Sequence, residues 1–417
     1  MRQIAIIGSG PAGCYLADHL LRLLPDASID ILERLPVPFG LVRYGVAPDH
    51  QGTKAVARVL DRVLSRERVQ FFGNVEVGRD VRLAELAELY DAVALAIGAS
   101  CDRRLGIPGE DLPGALGSSA FTRWYNSHPD HAVPAVGEVR SAVIIGNGNV
   151  ALDVARILAK SEPELAGSDL SMEVTVWLGA QPIEDVHIVG RRSAADAKFT
   201  DHELAELATL QRAKPVVGDP QSLAGDNAVI KTLRAFAAEN RTAPVTIHFH
   251  FNLTPTSFAG DDRLRATQFR SADGKITELD AQLAVTCIGY ESGACCAAVP
   301  ANGVFANEQG RISEGLYVVG WAKRGPSGTI PTNRSEAQQV AQRIAQETPG
   351  SARAGGAGLR QLLEARRAVW VDDTGWRRID AAEVARAGPQ RCRAKFNTVA
   401  EMLHAGQVAA TCVKPDQ

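Results

Sequence analysis

Long apolar runs are missing from this sequence. No stretch approaches the roughly 20 consecutive apolar residues that cross a bilayer, so no membrane span is expected. A dominant charge is missing as well. Forty-five Lys and Arg stand against 48 Asp and Glu, a net of -3, which is too slight to attract nucleic acid. The seven cysteines, Cys14, Cys101, Cys287, Cys295, Cys296, Cys392 and Cys412, include no CxxC or CxxxxC pair and no metal-ligand spacing. That pattern argues against a dithiol redox centre and against a structural metal site. Cys295 and Cys296 are neighbours, a geometry that strains a disulfide, and they are read as small residues in a loop or at a core edge. An apolar strand begins by Ile4, leaving no room for a leader, and a cytoplasmic location is expected.

What is present is glycine, at informative places. The 417 residues suffice for two or three domains. Hydrophobic content of 45% and 38 glycines fit a turn-rich α/β protein. Ile4-Ala5-Ile6-Ile7-Gly8-Ser9-Gly10-Pro11-Ala12-Gly13 is a strand running into a glycine turn and then a helical pattern from Cys14 to Leu24. In a dinucleotide-binding βαβ unit, Gly8 makes the tight turn, Gly10 lets backbone approach a pyrophosphate, and Gly13 lets helix and strand pack closely. Ser28–Glu33 follows as a second strand ending in a carboxylate, about 20 residues past Gly13, where a ribose hydroxyl is accepted.

Ser141-Ala142-Val143-Ile144-Ile145-Gly146-Asn147-Gly148-Asn149-Val150-Ala151 repeats the pattern, with Ala151 in the place of the third glycine. Its later strand, Val186–Val189, ends in Gly190-Arg191-Arg192 and not in a carboxylate. Two guanidiniums offer forked donors and positive charge to the 2'-phosphate of NADP, where a carboxylate would repel it. Two nucleotides in one chain point to hydride transfer between a nicotinamide and a flavin.

Between and beyond these units the sequence is less explicit. Arg34 to His50 is dense in proline and glycine and reads as an ordered, ligand-lining loop. A helix is expected from Thr53 to Ser65 with Val56, Val59, Leu60 and Val63 on one side. Strands are expected at Val69–Val77 and Tyr90–Gly98. Ile107 to Gly114 reads as a crossing between domains, and Ser161 to Ile183 as a polar insert. Residues 245–258 and 276–288 alternate in the manner of strands that complete the second sheet. Leu316 to Asn333 reads as strand and glycine-rich turn leading to a helix at Ser335–Gln346. Its first amides face negative charge such as a reduced flavin's. Ala352 to Gly358 reads as a flexible linker, and the remainder, with Trp370, Trp376, Phe396 and Met402, as a packed appendage.

Taken together, these motifs resemble the adrenodoxin reductase type of ferredoxin-NADP reductase. The resemblance rests on Pro38-Phe39-Gly40-Leu41-Val42-Arg43 with Val46-Ala47-Pro48-Asp49-His50, on Trp124-Tyr125-Asn126, and on Gly146 to Arg156. Gly190-Arg191-Arg192 and Gly320-Trp321-Ala322-Lys323-Arg324-Gly325-Pro326 complete it. It implies a three-layer α/β fold of two Rossmann-like dinucleotide-binding domains, the NADP domain inserted into the FAD domain. The expected division is 1–104 with 291–417 for FAD, including an appendage from about residue 353, and 105–290 for NADP. The resemblance places FAD at Gly8, Gly10, Ala12, Gly13, Glu33, Leu41, Val77, Trp321 and the Gly328-Thr329-Ile330 turn. It places NADP at Arg103, Asn147, Gly148, Asn149, Val150, Arg191, Arg192, Glu203 and Gly328, and gives His50 and Glu206 catalytic positions beside the rings. Ser193-Ala194 after the arginine pair and Asp201-His202 before Glu203 depart from the family pattern.

The implied activity is transfer of a hydride from NADPH to FAD, then of single electrons to a ferredoxin-type iron-sulfur protein. His50 suits proton exchange, because imidazole titrates near neutrality; the alternative is a histidine capping the Pro48-Asp49 turn. An acidic ferredoxin calls for a local basic face, and the family docks its partner near Lys231 and Arg234; a solvated helix face is the alternative there. A monomer is expected. Two other readings remain open: an NADPH-dependent flavoprotein acting on oxygen and a small organic substrate or serving as a reductase subunit, and a nucleotide sensor that never turns over.

Overall fold

The computed structural model describes residues 1–134, 136–220, 223–293, 303–350 and 352–406; Cys295, Cys296 and Cys412 lie outside them. The chain forms two compact units. One holds Met1–Val46, His50–Cys101 and the described residues from Tyr290 onward; the other holds Ala47–Asp49 and Asp102–Gly289.

Apolar strands too short to bury themselves line up in the first unit as a six-stranded sheet. Its order is Arg311–Ser313, Leu316–Val318, Ala92–Leu95, Gln3–Ile7, Ser28–Glu33, Val69–Gly73. All neighbours are parallel except the first pair. Alternation then decides the layers. Ile4 and Ile6 face a cluster built with helices Pro11–Leu23, Ala57–Leu64 and Ile330–Glu347, whereas Ala5 and Ile7 face one built with Leu86, Leu359 and Leu363. Helix, sheet, helix is the expected three-layer arrangement.

The second unit also has a six-stranded sheet, parallel throughout. Its order is Ala115–Gly117, Leu283–Thr286, Ser141–Ile145, Asp185–Val189, Val245–His250, Ala213–Val217. Helices Ser118–Tyr125, Asn149–Ala159 and Ala228–Ala237 cover one face through Trp124, Val154, Ile157 and Leu233. Part of the other face, at Val143, Ile145 and Val189, is covered by Phe258, Leu264 and Phe269 of an antiparallel sheet. That sheet consists of Thr254–Ala259, Ala266–Arg270 and Ile276–Asp280. The alternating stretches at 245–258 and 276–288 therefore split between two sheets and do not complete one. Alternation fixes which residues share a face, not which partner strand they find.

Several local expectations need correcting. The helix expected over Thr53 to Ser65 is two, Gln51–Lys54 and Ala57–Leu64, broken where the buried Lys54 turns in to donate to the Arg43 carbonyl at 3.2 Å. Val59, read as part of the apolar side, is 47% exposed. Ser161 to Ile183 is no plain polar insert, since it contains helix Met172–Ala180 with Val174 and Leu178 buried. Ile107 to Gly114 packs within the second unit, where Pro108 and Pro113 carbonyls accept from Phe258 and Leu264 N–H groups. The helix expected from Ser335 starts at Ile330, with Pro in its first turn and a Thr329/Thr332 capping box. Ala352 to Gly358 is not a flexible linker: helix Gly355–Ala365 begins inside it. Its glycines permit close docking, because a Cβ on Gly356 would fall 2.7 Å from Asp30 Oδ2. Burial of Leu359 and Leu363, about 1.5–3 kcal/mol each, outweighs the poor helix propensity of three glycines. Trp376 and Met402 of the appendage are buried, as expected.

Candidate active site

In the first unit the site is built at the carboxyl ends of the parallel strands. The chain leaves Gln3–Ile7 through Gly8, whose φ of 109° belongs to glycine and whose N–H donates to the Leu32 carbonyl at 2.8 Å. A Cβ on Gly8 would strike the Ala96 carbonyl at 2.5 Å, and one on Gly13 the Gly8 carbonyl at 2.1 Å. Both glycines are thus demanded by the fold itself. Gly10 is different: its φ is -70°, and a Cβ there would meet no described atom within 4 Å. No described neighbour therefore demands glycine at this position. Gly10 caps helix Pro11–Leu23 with no side-chain hydrogen bond, which leaves the Ala12 and Gly13 amides facing the same open space, an anion-binding geometry.

Other elements converge on that turn. Glu33 accepts from Ser9 N–H at 3.1 Å and Ser9 O–H at 2.7 Å with Oε2, and from Leu35 N–H at 3.2 Å with Oε1. A carboxylate has four acceptor positions, so capacity for a ribose hydroxyl remains. Phe39, at φ 83°, donates to the Ser9 carbonyl and starts helix Gly40–Tyr44, which carries the exposed Leu41. Gly320 lies so close to Ala12 that a Cβ would come within 2.7 Å of its methyl, which brings Trp321 to the same rim. The Trp321 Nε1–H donates to the Ser327 carbonyl at 3.1 Å, and its ring stacks with Tyr290 at 6.1 Å. Gly328 has φ 81°. The capping box occupies the Thr329 and Thr332 amides and leaves the Ile330 N–H at the open helix end. Val77 is buried in a small bridge with Val81. His50 is half-buried at the start of helix Gln51–Lys54, where its carbonyl accepts the Lys54 N–H at 3.0 Å.

The second unit repeats the construction. Gly146 has φ 143°, and a Cβ would lie 2.2 Å from the Cys287 carbonyl. Gly148 caps helix Asn149–Ala159 without a side-chain bond, and a Cβ there would meet no described atom within 4 Å. Asn147 Oδ1 is buried with no hydrogen-bond partner among the described residues, while the Asn147 carbonyl accepts from Lys198 and Phe199 N–H groups. Asn149 Oδ1 accepts the Thr200 N–H at 2.8 Å. Val150 is half-buried in the first helical turn. Beyond strand Asp185–Val189, Arg191 and Arg192 are both exposed, and neither guanidinium has an ion-pair or hydrogen-bond partner among the described residues. Two adjacent cations left unneutralised at a strand end offer the charge and forked donors that suit a phosphate. Arg103 is also exposed, on a chain held by its N–H to the Gly289 carbonyl at 3.1 Å.

One organising residue has no role in the sequence reading. Arg156 is 1% exposed and donates to both oxygens of Asp49, at 2.7 and 3.0 Å, and to Asp153 at 2.7 Å. Its Nη1 also lies 3.9 Å from Glu203 and 3.8 Å from Glu206. Burial alone would raise the Asp49 carboxyl, but Arg156 and Lys160 hold it well below the usual carboxylate range. Glu206, which a surface helix pattern would leave in solvent, is one of four carboxylates gathered around one guanidinium. The available signal was Asp153-x-x-Arg156, an (i, i+3) ion pair on one helix face; nothing local announced Asp49. Lys231 and Arg234 lie on helix Ala228–Ala237, both exposed and both 3.6 Å from Asp226; Arg234 also donates to the Leu223 and Gly225 carbonyls.

Paired glycine turns with uncapped helix starts define a two-nucleotide oxidoreductase. The chain belongs to the pyridine nucleotide-disulphide oxidoreductase family, whose pattern matches residues 2–218. Within it, the chain is 41% identical to cindoxin reductase of Citrobacter braakii over 96% of this chain and 90% of that protein. It is 37% identical to the mitochondrial NADPH:adrenodoxin oxidoreductase of Arabidopsis thaliana, over 91% and 90%. The structure of Mycobacterium tuberculosis FprA in complex with NADPH matches with a TM-score of 0.91 at 37% identity, covering 97% of this chain and 99% of that one. The resemblance to adrenodoxin reductase-type enzymes is therefore borne out. Despite the family's name, burial pushes the Cys14 and Cys287 thiols up, away from thiolate chemistry. No helix among the described residues is long and apolar enough to cross a membrane.

Proposed function

We propose that this protein is an NADPH-dependent flavoprotein reductase delivering electrons to a ferredoxin-type iron-sulfur protein. The observation that carries the reading is the pair of cradles, of which only the second ends in an unneutralised Arg191–Arg192. Residues 1–104 and 291–417 would hold FAD, and residues 105–290 NADP. Gly10 and Gly148 are each bare toward open space, and the helix behind each presents free amides, so both cradles fit a pyrophosphate. The orphaned Asn147 Oδ1 fits a ligand donor in the second.

Bound FAD would supply hydride acceptance from NADPH and one-electron release, chemistry that no side chain supplies. The chain's own part is to bind and orient. Gly8, Gly10, Ala12, Gly13, Glu33, Leu41, Val77, Trp321 and Gly328–Ile330 are the proposed FAD contacts. Arg103, Asn147 to Val150, Arg191, Arg192, Glu203 and Gly328 are the proposed NADP contacts. Arg156 lies within ion-pair reach of Glu203 and Glu206. His50 and Glu206 are the proposed proton-handling residues. The alternative of a reductase acting on oxygen and a small organic molecule is not favoured, since the relatives are named as reductases of cindoxin, adrenodoxin and ferredoxin.

Lys231 and Arg234 are proposed to steer an acidic partner. Lys231 is the better candidate, since Arg234 is committed to two carbonyls. A monomer in the cytoplasm completes the proposal. Anaerobic mixing of the purified protein with NADPH and with NADH is the test. NADPH should bleach the flavin bands far faster, and added ferredoxin should restore them as its cluster is reduced. A colourless protein, or equal rates with the two nucleotides, would refute the reading.

A further inference from the structure

The second unit carries three imidazoles that the nucleotide chemistry leaves unused. On strand Asp185–Val189, Asp185 and His187 alternate with the core-facing Val186 and Ile188. On strand Val245–His250, His248 and His250 alternate with the core-facing Ile247 and Phe249. The strands pair in parallel with His187 directly opposite His248, so all four polar side chains share one face. The antiparallel sheet covers Val143, Ile145 and Val189 of that face, and the three histidines are left half-buried and open to solvent.

Two of them, His187 and His250, have the nitrogen spacing of a chelate. His187 Nδ1 lies 3.1 Å from His250 Nε2, while two nitrogens bound to one tetrahedral zinc at 2.0–2.1 Å stand about 3.3 Å apart. The His248 ring stacks on His187 with centroids 4.7 Å apart, and its Nε2 lies 2.7 Å from Asp185 Oδ1. Neutral imidazoles suit zinc, copper and nickel more than magnesium or calcium.

We infer that His187 and His250, with His248 beside them, form a surface site for a transition-metal dication of the zinc type. Binding replaces the ring-to-ring hydrogen bond with two nitrogen-metal bonds. The proton of the donating ring passes through solvent to that ring's other nitrogen, so no proton is lost overall. Water fills the remaining coordination positions.

The test is calorimetric titration of the metal-stripped, flavin-loaded full chain with zinc chloride alone. Saturable binding that His187→Gln and His250→Gln each weaken by about tenfold or more, and that His404→Gln on an exposed helix does not alter, supports the site. Zinc binding unchanged in both variants, or none in the native chain, overturns it. Flavin absorption and melting temperature report whether the variants fold. Should they fail to fold, anomalous scattering at the zinc edge from soaked native crystals decides: a peak between His187 Nδ1 and His250 Nε2 supports the site, and its absence there overturns it.

Discussion

Replacing Arg191 and Arg192 together by alanine isolates the feature that distinguishes the second cradle. Neither guanidinium has an ion-pair or hydrogen-bond partner among the described residues, and both are exposed, so the double variant should melt at the native temperature. A hydrogen bond from a charged donor to an anion contributes about 1.5–3 kcal/mol. Exposure to solvent and salt puts each arginine at the lower end, near 1.5 kcal/mol. Two such losses total about 3 kcal/mol, or roughly a hundredfold in kcat/KM for NADPH. NADH lacks the 2'-phosphate, so its kcat/KM should hardly change, and the preference for NADPH should collapse. Raising ionic strength should erode the native preference and leave the variant's small one unaffected. The assay is steady-state reduction of a small dye with each nucleotide across a salt series. Equal losses for NADPH and NADH would refute the reasoning, because they would mean the arginines hold the fold or the shared part of the nucleotide.

Other outcomes follow from individual contacts. Arg156→Met leaves Asp49 and Asp153 short of their buried counter-charge and should cost about 3–5 kcal/mol in chemical denaturation; a cost under about 1 kcal/mol would deny the network its role. Gly148→Ala should fold normally, because nothing surrounds the new methyl, yet bind NADPH poorly, whereas Gly146→Ala should be strongly destabilised by its clash with the Cys287 carbonyl. Similar stabilities for the two would contradict the contrast. Burial raises Asp30 from 3.8 to about 6 despite the Tyr90 hydrogen bond, Arg360 and the Gly356 amide. A carboxyl raised on folding favours the fold below its unfolded pKa, and that stability is lost as pH climbs toward the folded value. Asp30→Asn should therefore stabilise at pH 8 by up to about 3 kcal/mol and not at pH 4; thermal melts at the two pH values would show it, and a gain of equal size at both would count against it. Lys231→Glu should raise the apparent KM for ferredoxin and leave dye reduction unchanged; a loss in both assays would remove it from partner docking.

Much of this architecture was legible because it rests on local rules. Strand, glycine turn and helix at Gln3–Leu23 and Ser141–Ala159 follow from apolar runs and from φ values that only glycine holds comfortably, and those constraints act within a dozen residues. Arg191–Arg192 was legible for the same reason, since what matters is the residue type at the end of a strand. The errors fell where distant partners intervene. Glycine-rich Ala352–Gly358 looked flexible, but it starts a helix because those glycines let it approach Asp30 closely. The alternating residues at 245–258 divided between two sheets, because alternation leaves the partner strand open.

The sequence by itself determined the two nucleotide turns, the arginine pair and the lack of a spaced dithiol, all of them properties of neighbours along the chain. Only the tertiary structure decided that Asp49 meets Arg156, 107 residues away, that Gly8 and Gly13 are fold-imposed while Gly10 is free, and that His187 faces His248 and His250. Those outcomes depend on strand order and close packing, and no local propensity encodes which distant backbone will come within contact distance.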